Sequence, residues 1–385
     1  MVYAGTQASF EQAARDLGQL AELDISDQRV RRATVRIGNE RVQERDKQTA
    51  AYQVLPLPQQ RISPVKQAPR VVCVEMDGGR MQIRERGASA EEPTSDGFWR
   101  EMKVGCLTTM TREVHAQDPC PELPAAFAER EKMAKIAREI KGFSSEAAVA
   151  PEAAEPEAND RAGRPRPLAR SVVATRRGVD EFGPLLAAEA WSRGFAAALA
   201  KAYVADGSEA NWGVWRRWFS DYVPILDFVH ALCYVYAAAL AGRTPEEGWA
   251  LYCQWAQWVW SGQVQRVIAA LKQRREELGE PVASEPDSAP RKQIAKTLGY
   301  LQNQCERMQY DEYRKAGLPI TSSGVESTIK RINRRVKGSE KFWSVGAEAL
   351  LTLTADHLSD TPTLAHFWRD RHHRLTGLRC YQQAL

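Results

Sequence analysis

The sequence predicts a mixed α/β fold in which a β-rich first part is followed by strand–helix units and a long helical stretch. Residues 71–76 form a β-branched run typical of a strand, 100–110 are a further candidate strand, and short strands are expected at 171–175, 201–205 and 223–226. Helical spacing of apolar residues dominates 243–316. This order of elements favours a mixed sheet with a helical insertion.

Two helices are predicted at the N-terminus, and together they would form a helix-turn-helix-like DNA-binding region over residues 1–47. Residues 9–23 have apolar side chains at helical spacing, and Ser9 is placed to cap this helix. Ser26 is a candidate cap for a second, arginine-rich helix over 27–46. The pattern is compatible with a helix-turn-helix, although many helical hairpins share it.

A proline-rich linker is predicted over residues 48–70, after which the sequence becomes typical of a sheet. The strand at 71–76 ends at the Asp-Gly-Gly sequence of residues 77–79, which has the composition of a turn. Residues 81–85 alternate as a return strand, and 100–110 would be the third strand. These segments predict an antiparallel meander whose first strand ends in a carboxylate.

The remaining boundaries follow from changes in composition. Residues 144–168 are rich in Ala, Glu and Pro without periodicity, which predicts a flexible insertion. We expect the first part of an α/β core at 71–242, an all-helical insertion at 243–316, and the last part of the core with a C-terminal tail at 317–385.

Composition excludes several classes of protein. The chain has 385 residues, 43% of them hydrophobic. Its longest nearly apolar run, 228–242, is 15 residues long, fewer than the roughly 20 that a membrane span needs. We therefore expect no membrane partner, and the N-terminus lacks the features of a secretory signal. Seven cysteines without a CxxC pair argue against a zinc ribbon or a disulfide framework and fit a reducing cytoplasm.

The distribution of charge is more informative than its sum. A net charge of +4 is too small to indicate a nucleic-acid partner. Basic residues are nevertheless concentrated at 28–45 and at 326–341. Each of these two basic segments is either a local anion-binding surface or a solvated helix face.

Three acidic residues stand out by their position. Asp77 ends the first predicted strand, Asp206 follows a later strand, and Glu326 lies near the start of a basic helix. Each also has a purely structural explanation, as a turn residue or as part of a capping box. If the strand ends and the helix start meet in one crevice, a divalent metal would balance the charges. Oxygen ligands without Cys or His partners favour Mg²⁺ or Mn²⁺, and two such ions are suited to in-line displacement at a phosphodiester.

Longer blocks of the sequence resemble a known family. The segments VEMDGGRMQIRE, KAYVADGSEANWGVWRRWF, VPILDFVHALCYVYAAALAG and TSSGVESTIKRINRRVKGSEKFWSVGAEALLTL resemble bacterial DDE transposases. The closest resemblance is to the Kra-type insertion-sequence family, which is distantly related to Mutator-like transposases. The match runs from about Phe10 to Leu353. It implies an RNase H-like catalytic fold with an all-helical insertion between the second Asp and the Glu.

The resemblance also implies roles for individual residues. Asp77, Asp206 and Glu326 would be the catalytic triad and the ligands of two Mg²⁺ or Mn²⁺ ions. The Asp227-x-x-His230 sequence matches a family signature, in which His230 would assist the site or order a phosphate. The alternative is that Asp227 caps a helix and His230 is a packed core residue.

The implied activity is that of an insertion-sequence transposase, which cleaves DNA at transposon ends and transfers the strands into target DNA. Its partners would be double-stranded terminal repeats and target DNA, bound by a homo-oligomer in the bacterial cytoplasm at the nucleoid. Because the helix-turn-helix-like region starts almost at Met1, one alternative is a truncated relic that only binds DNA. Another is an RNase H-like structure-specific nuclease. The implied DNA contacts come from basic residues of two helices, namely Arg29, Arg31, Arg32 and Arg36 in the first and Lys330, Arg331, Arg334, Arg335, Lys337 and Lys341 in the second.

Overall fold

The fold is built on one five-stranded mixed sheet. The computed structural model describes residues 1–83, 99–141, 164–337, 343 and 346–376. Its strands are β1 (Val71–Gln82), β2 (Trp99–Met110), β3 (Pro167–Thr175), β4 (Ala200–Ala205) and β5 (Val223–Leu226). The strand order is β3-β2-β1-β4-β5. The β1–β2 and β2–β3 pairs are antiparallel, whereas β1–β4 and β4–β5 are parallel. The mixed α/β class is therefore confirmed.

Helices of the described residues precede, interrupt and follow the sheet. Those before it and within its first half are α1 (Val2–Gln7), α2 (Phe10–Ala21), α3 (Asp27–Gln53), α4 (Leu57–Gln60), α5 (Arg130–Lys141) and α6 (Val179–Ser192). Those of the later part are α7 (Glu209–Trp218), α8 (Phe228–Leu240), α9 (Pro245–Trp260), α10 (Val264–Leu278), α11 (Pro290–Gln304), α12 (Tyr310–Lys315), α13 (Ser323–Val336), α14 (Ala347–Leu358) and α15 (Thr363–Thr376). The segment predicted as a helical insertion thus consists of α9 to α12. In the part of the chain that is described, no helix is long and apolar enough to cross a membrane.

Strand β1 differs from the prediction at Asp77. The chain does not turn at residues 77–79 but continues as one strand paired with β2, and Asp77 lies opposite Val104. A Cβ at Gly78 or Gly79 would come within 3 Å of the side chains of Glu101 or Met102, so these glycines permit close cross-strand packing. The predicted turn is wrong. The predicted return strand is also wrong, because residues 81 and 82 end β1 while 84 and 85 lie outside the described residues.

Asp77 lies where β1 extends beyond its parallel neighbour β4. The parallel pairing of β1 with β4 ends at the Glu75–Val204 pair, two residues before Asp77. Beyond that pair, β1 continues beside β2 only. Asp77 therefore lies next to the carboxyl end of β4, where Asp206 follows, which is the kind of edge at which α/β sheets gather functional groups.

The N-terminal helices lie against the rest of the fold. Ser9 and Ser26 cap α2 and α3 as predicted, but α3 extends seven residues past the predicted end at 46 and includes the start of the predicted linker. Helix α3 packs on α14, where a Cβ at Gly38 would lie 2.6 Å from the carbonyl oxygen of Ala349. The two helices are thus in backbone contact.

Two large apolar cores of the described residues pack around the sheet. One joins β1, β4 and β5 to α6, α8 and the helices α9 to α12. The other lies between the antiparallel half of the sheet and the helices α13 and α14. Strand β3 starts at Pro167, inside the segment predicted as a flexible insertion over 144–168; residues 144–163 of that segment lie outside the described residues.

Candidate active site

Asp206 is held in place by residues of the loop and helix that follow it. Its Oδ1 accepts a hydrogen bond from the backbone N–H of Ser208 at 3.0 Å and from Asn211 Nδ2 at 2.8 Å. Asn211 is buried at the start of α7, and its Nδ2 also lies 3.4 Å from the carbonyl oxygen of Met76. Asn211 therefore connects Asp206 to β1 at the residue that precedes Asp77.

The helical insertion supports the same loop from the other side. Tyr300 of α11 donates a hydrogen bond from Oη to the carbonyl oxygen of Asp206 at 2.8 Å. Gln304 Nε2 lies 3.3 Å from the carbonyl oxygen of Gly207. Gly207 has a φ of +92°, a conformation that favours glycine. Helix α11 thus fixes the backbone that carries Asp206.

Asp227 connects the starts of two helices. Its side chain is fully buried and caps α8, with Oδ1 accepting from the backbone N–H of His230 at 2.8 Å. The same oxygen lies 3.2 Å from His230 Nδ1. Its Oδ2 accepts from the Ser322 backbone N–H and, at 2.7 Å, from Ser322 Oγ. The helix-cap role proposed for Asp227 is present, and the same carboxylate also orients His230 and holds the residue that precedes α13.

Glu326 and His230 face each other across this junction. His230 Nδ1 lies 3.9 Å from Glu326 Oε1. One potential ligand atom from each of Asp227, His230 and Glu326 lies within 4.8 Å of the other two. Among the described residues, these three side chains are close enough together to hold a metal ion.

Burial and neighbouring negative charge raise the pKa values of three carboxyl groups at the site. Burial, with a contribution from the charge of Asp206, raises the pKa of Asp77 to about 6. Burial and the charge of Asp227 raise the pKa of Glu326 to about 7, and burial raises that of Glu75 to about 8. Two triad members are therefore poised to hold protons near neutral pH unless a cation compensates their charge.

The pKa of His230 is also raised, but for an imidazole a raised pKa favours the charged form. Burial on its own would lower its pKa, but the hydrogen bond and the charge of Asp227 raise it to about 9. For Asp227, burial would raise the pKa, yet the contacts with His230 lower it overall. The pair is therefore an imidazolium and a carboxylate at neutral pH, with the cation beside Glu326.

Within the triad predicted from the sequence, the charge of Asp206 contributes to the raised pKa of Asp77, and the charge of Asp77 contributes to the raised pKa of Glu326. The basic residues predicted to contact DNA differ in their exposure to solvent. Those exposed in the structure are Arg29, Arg31, Arg32 and Arg36 on α3 and Lys330, Arg331, Arg334 and Lys337 on or just after α13. Lys341 lies outside the described residues.

Arg335 requires a correction. Its side chain is buried, and both Nε and Nη2 donate to the carbonyl oxygen of Gly5, at 3.1 and 2.9 Å. Its guanidinium also lies over the rings of Phe10 and Trp343. In this structure Arg335 joins α13 to the N-terminal helices and does not face solvent, so it is not available to DNA.

Removing the hydroxyl of Tyr300 tests how far the helical insertion supports the site. We expect Tyr300→Phe to lower the free energy of unfolding by about 1 kcal/mol, because one hydrogen bond is lost. If Asp206 binds Mg²⁺, as the sequence resemblance implies, the affinity for this ion is expected to fall by roughly tenfold, since the hydroxyl that holds the backbone of Asp206 is lost. The measurements are thermal unfolding and calorimetric titration with Mg²⁺.

Tyr252→Phe is the matched control for this experiment. Tyr252 Oη also donates to a backbone carbonyl, that of Phe127 at 3.1 Å, but this carbonyl belongs to no residue of the site. We expect a similar loss of stability with unchanged Mg²⁺ affinity. Equal Mg²⁺ affinities for the two variants would contradict a role of Tyr300 at Asp206.

Comparison with known proteins adds no family assignment. Neither the models of known protein families nor the curated proteins with which the sequence was compared match this chain. Its function is therefore inferred from the chemistry of the site.

Proposed function

We propose that the chain is a DDE-type insertion-sequence transposase that cleaves DNA and transfers its strands by a two-metal mechanism. The observation that supports the proposal is the electrostatic coupling of Asp77 to both Asp206 and Glu326. The three residues come from the middle of β1, the position just after β4 and the first turn of α13. Carboxylates so placed are typical of sites that hold divalent cations for phosphoryl transfer.

The donor chemistry of the site fits Mg²⁺ or Mn²⁺. Burial and neighbouring charge raise the pKa of two of the three carboxyls, and a bound cation would relieve this unfavourable crowding. Asp77, Asp206 and Glu326 supply oxygen ligands, which these ions prefer. When bound, such ions would supply activation of the attacking oxygen and stabilisation of the leaving oxygen.

The reaction proceeds at phosphorus in two steps. A water oxygen attacks a phosphodiester at the transposon end, the P–O3′ bond breaks, and the departing oxygen takes a proton to become a 3′-hydroxyl. That hydroxyl then loses its proton and attacks a phosphodiester of the target. The new P–O3′ bond joins the transposon end to the target 5′ phosphate as the target P–O3′ bond breaks, and the departing oxygen takes a proton to become a target 3′-hydroxyl. The Asp227–His230 pair would offer an imidazolium to a phosphate oxygen at this place.

The polypeptide surface supports a DNA partner. The exposed arginines 29, 31, 32 and 36 of α3 and the exposed Lys330, Arg331, Arg334 and Lys337 of the α13 region are suited to phosphate contacts. The charge of Lys330 lowers the pKa of Glu326, so the basic residues of the α13 region begin next to the candidate site. Two DNA ends must be joined, so we expect a homo-oligomer on DNA, in the bacterial cytoplasm at the nucleoid.

The arrangement of the sheet is compatible with the RNase H-like core that the resemblance implies. A mixed sheet carries two of the carboxylates, and helices α9 to α12 separate Asp206 from Glu326 in the chain. We propose this fold family together with the Kra-type assignment.

The proposal is tested with purified protein and supercoiled plasmid DNA that carries the sequences flanking this gene. We expect nicking of the donor only with Mg²⁺ or Mn²⁺, followed by products in which a donor 3′ end is joined to target DNA. Chelation with EDTA should abolish both products.

Each alternative gives a different result. DNA binding without metal-dependent nicking would overturn the proposal in favour of a binding relic. Metal-dependent cutting of branched or hybrid substrates without any joined product would favour a structure-specific nuclease. The joined product is therefore the deciding species.

A further inference from the structure

A fourth carboxyl lies behind the proposed metal ligands. Glu75 precedes Asp77 by two residues on β1, so both side chains point to the same face of the strand. Glu75 is only 3% exposed. Its Oε2 accepts a hydrogen bond from the backbone N–H of Val325, the residue before Glu326, at 2.7 Å. A strand residue is therefore bonded directly to the turn of helix that carries the third triad member.

This hydrogen bond replaces a missing local cap. The first N–H groups of an α-helix have no partner within the helix and are usually satisfied by the side chain of the N-cap residue. Ser322 occupies that position in α13 but makes no capping bond, and its hydroxyl is directed to Asp227, to which it donates a hydrogen bond. Glu75 supplies the acceptor from another element, while Asp227 holds the preceding residue.

The contact depends on a glycine. Gly324 lies in the first turn of α13 with an ordinary helical backbone, and a Cβ at this position would come 2.5 Å from Glu75 Oε2. Such a separation requires the carboxyl or the helix to shift. The absence of a side chain at Gly324 is thus what lets Glu75 reach Val325.

Packing alone does not fix this end of the helix. Glu75, Ser323 and Gly324 line a cavity of about 440 Å³ that also contacts Phe228 and Trp260. Atoms that line such a pocket make fewer packing contacts on that side than atoms of a filled core. The hydrogen bonds of Glu75 and Asp227 therefore matter more for the position of the first turn than they would in a filled core.

We propose that Glu75 is a positioning residue of the metal site, which acts together with Asp227 to hold the first turn of α13 so that Glu326 faces Asp77. The role requires an acceptor oxygen at Oε2 and does not require a ligand to the metal. This inference rests on the proposed function, because it assumes that Glu326 binds a metal ion.

The role predicts a contrast between two substitutions of the same residue. Glu75→Gln keeps a carbonyl oxygen for the Val325 N–H, so we expect its Mn²⁺ affinity and nicking rate to stay within about threefold of wild type. Glu75→Met removes the acceptor at similar volume and leaves a buried N–H unsatisfied. We expect its Mn²⁺ affinity to fall by about 10–100-fold, the scale of outer-shell substitutions at metal sites.

Mn²⁺ binding is measured by isothermal titration calorimetry without DNA, and nicking at saturating Mn²⁺ is measured separately. Gly324→Ala gives an independent test that leaves Glu75 in place, and we expect it to weaken Mn²⁺ binding as Glu75→Met does. Gly213→Ala is its control, since a Cβ at Gly213 would meet nothing within 4 Å, and it should bind Mn²⁺ as wild type does.

The outcomes separate this inference from the proposed function. Wild type that binds no Mn²⁺ would overturn both. Wild-type binding together with unchanged affinity in Glu75→Met, or in Gly324→Ala if Glu75→Met does not fold, would overturn the positioning role alone. Loss of binding in Glu75→Gln, as expected for a true ligand such as Glu326, would also overturn it.

Discussion

Replacing Glu326 by glutamine, or Asp77 or Asp206 by asparagine, is expected to lower the rate of metal-dependent DNA nicking by about 10³-fold or more, the scale on which one preorganised electrostatic group contributes to a rate. Each amide can accept the hydrogen bonds now made by its carboxylate, such as that from Asn211 to Asp206, so the fold should persist. The measurement is a single-turnover nicking rate at saturating Mg²⁺.

Two of these variants, Asp77→Asn and Glu326→Gln, are expected to gain stability when metal is absent. The folded protein holds the pKa of Asp77 at about 6 and that of Glu326 at about 7, above the ordinary carboxyl value of about 4. Folded protein therefore binds more protons than unfolded chain between these values, and its free energy of unfolding falls as the pH rises through this window. At pH 8, Asp77→Asn and Glu326→Gln should each be more stable than wild type by on the order of 1–2 kcal/mol.

Metal and pH provide the checks on this interpretation. Below about pH 4 the stability advantage of the two variants should vanish, because wild type is then protonated in both states. Addition of Mg²⁺ at pH 8 should stabilise wild type and not the variants. Asp287→Asn, at a fully exposed carboxylate, should change neither activity nor stability. A triad variant that nicks DNA at the wild-type rate would show that the residue is not a ligand.

Much of the sheet could be predicted because its strands are apolar runs with clear boundaries. Strand β5 has the predicted limits, and β4 begins one residue early. The error at residues 77–79 arose because Asp-Gly-Gly has a turn composition, whereas pairing with β2 extends the strand through it. Cross-strand contacts with residues 101 and 102, remote in sequence, decided between the two conformations.

The candidate site was predictable in part for the same reason. Asp206 and Glu326 could be located because a strand end and a helix start are local features. Glu75 and Tyr300 were missed because their partners lie 250 and 94 residues away in the chain. A carboxylate within the otherwise apolar run 71–76 was a signal for Glu75, whereas nothing local distinguishes Tyr300 from a core tyrosine.

The junction between the N-terminal helices and the core also depends on a buried ionic contact that no local pattern reveals. Arg41 of α3 donates from Nε to Asp356 Oδ2 of α14 at 2.9 Å, and both side chains are over 90% buried. Burial nevertheless raises the pKa of Asp356 to about 6 despite the neighbouring guanidinium. The attraction of Arg41 therefore does not fully offset the desolvation of Asp356.

Asp356→Ala is expected to lower the free energy of unfolding by about 3–5 kcal/mol, because it leaves the Arg41 guanidinium buried without its counter-charge. The double variant Arg41→Met with Asp356→Leu should recover most of this loss, since an apolar pair carries no desolvation penalty. Denaturant unfolding at pH 7 measures the free energy of unfolding of both variants. Glu11→Ala, which breaks an exposed ion pair on α2, is the control and should change this free energy by less than about 1 kcal/mol.

A loss below about 1 kcal/mol for Asp356→Ala would mean that α3 leaves α14 readily. In that case residues 1–47 would behave as the separate DNA-binding region that the sequence predicts, whereas a large loss makes α3, with its exposed arginines, a fixed part of the body that carries the candidate site.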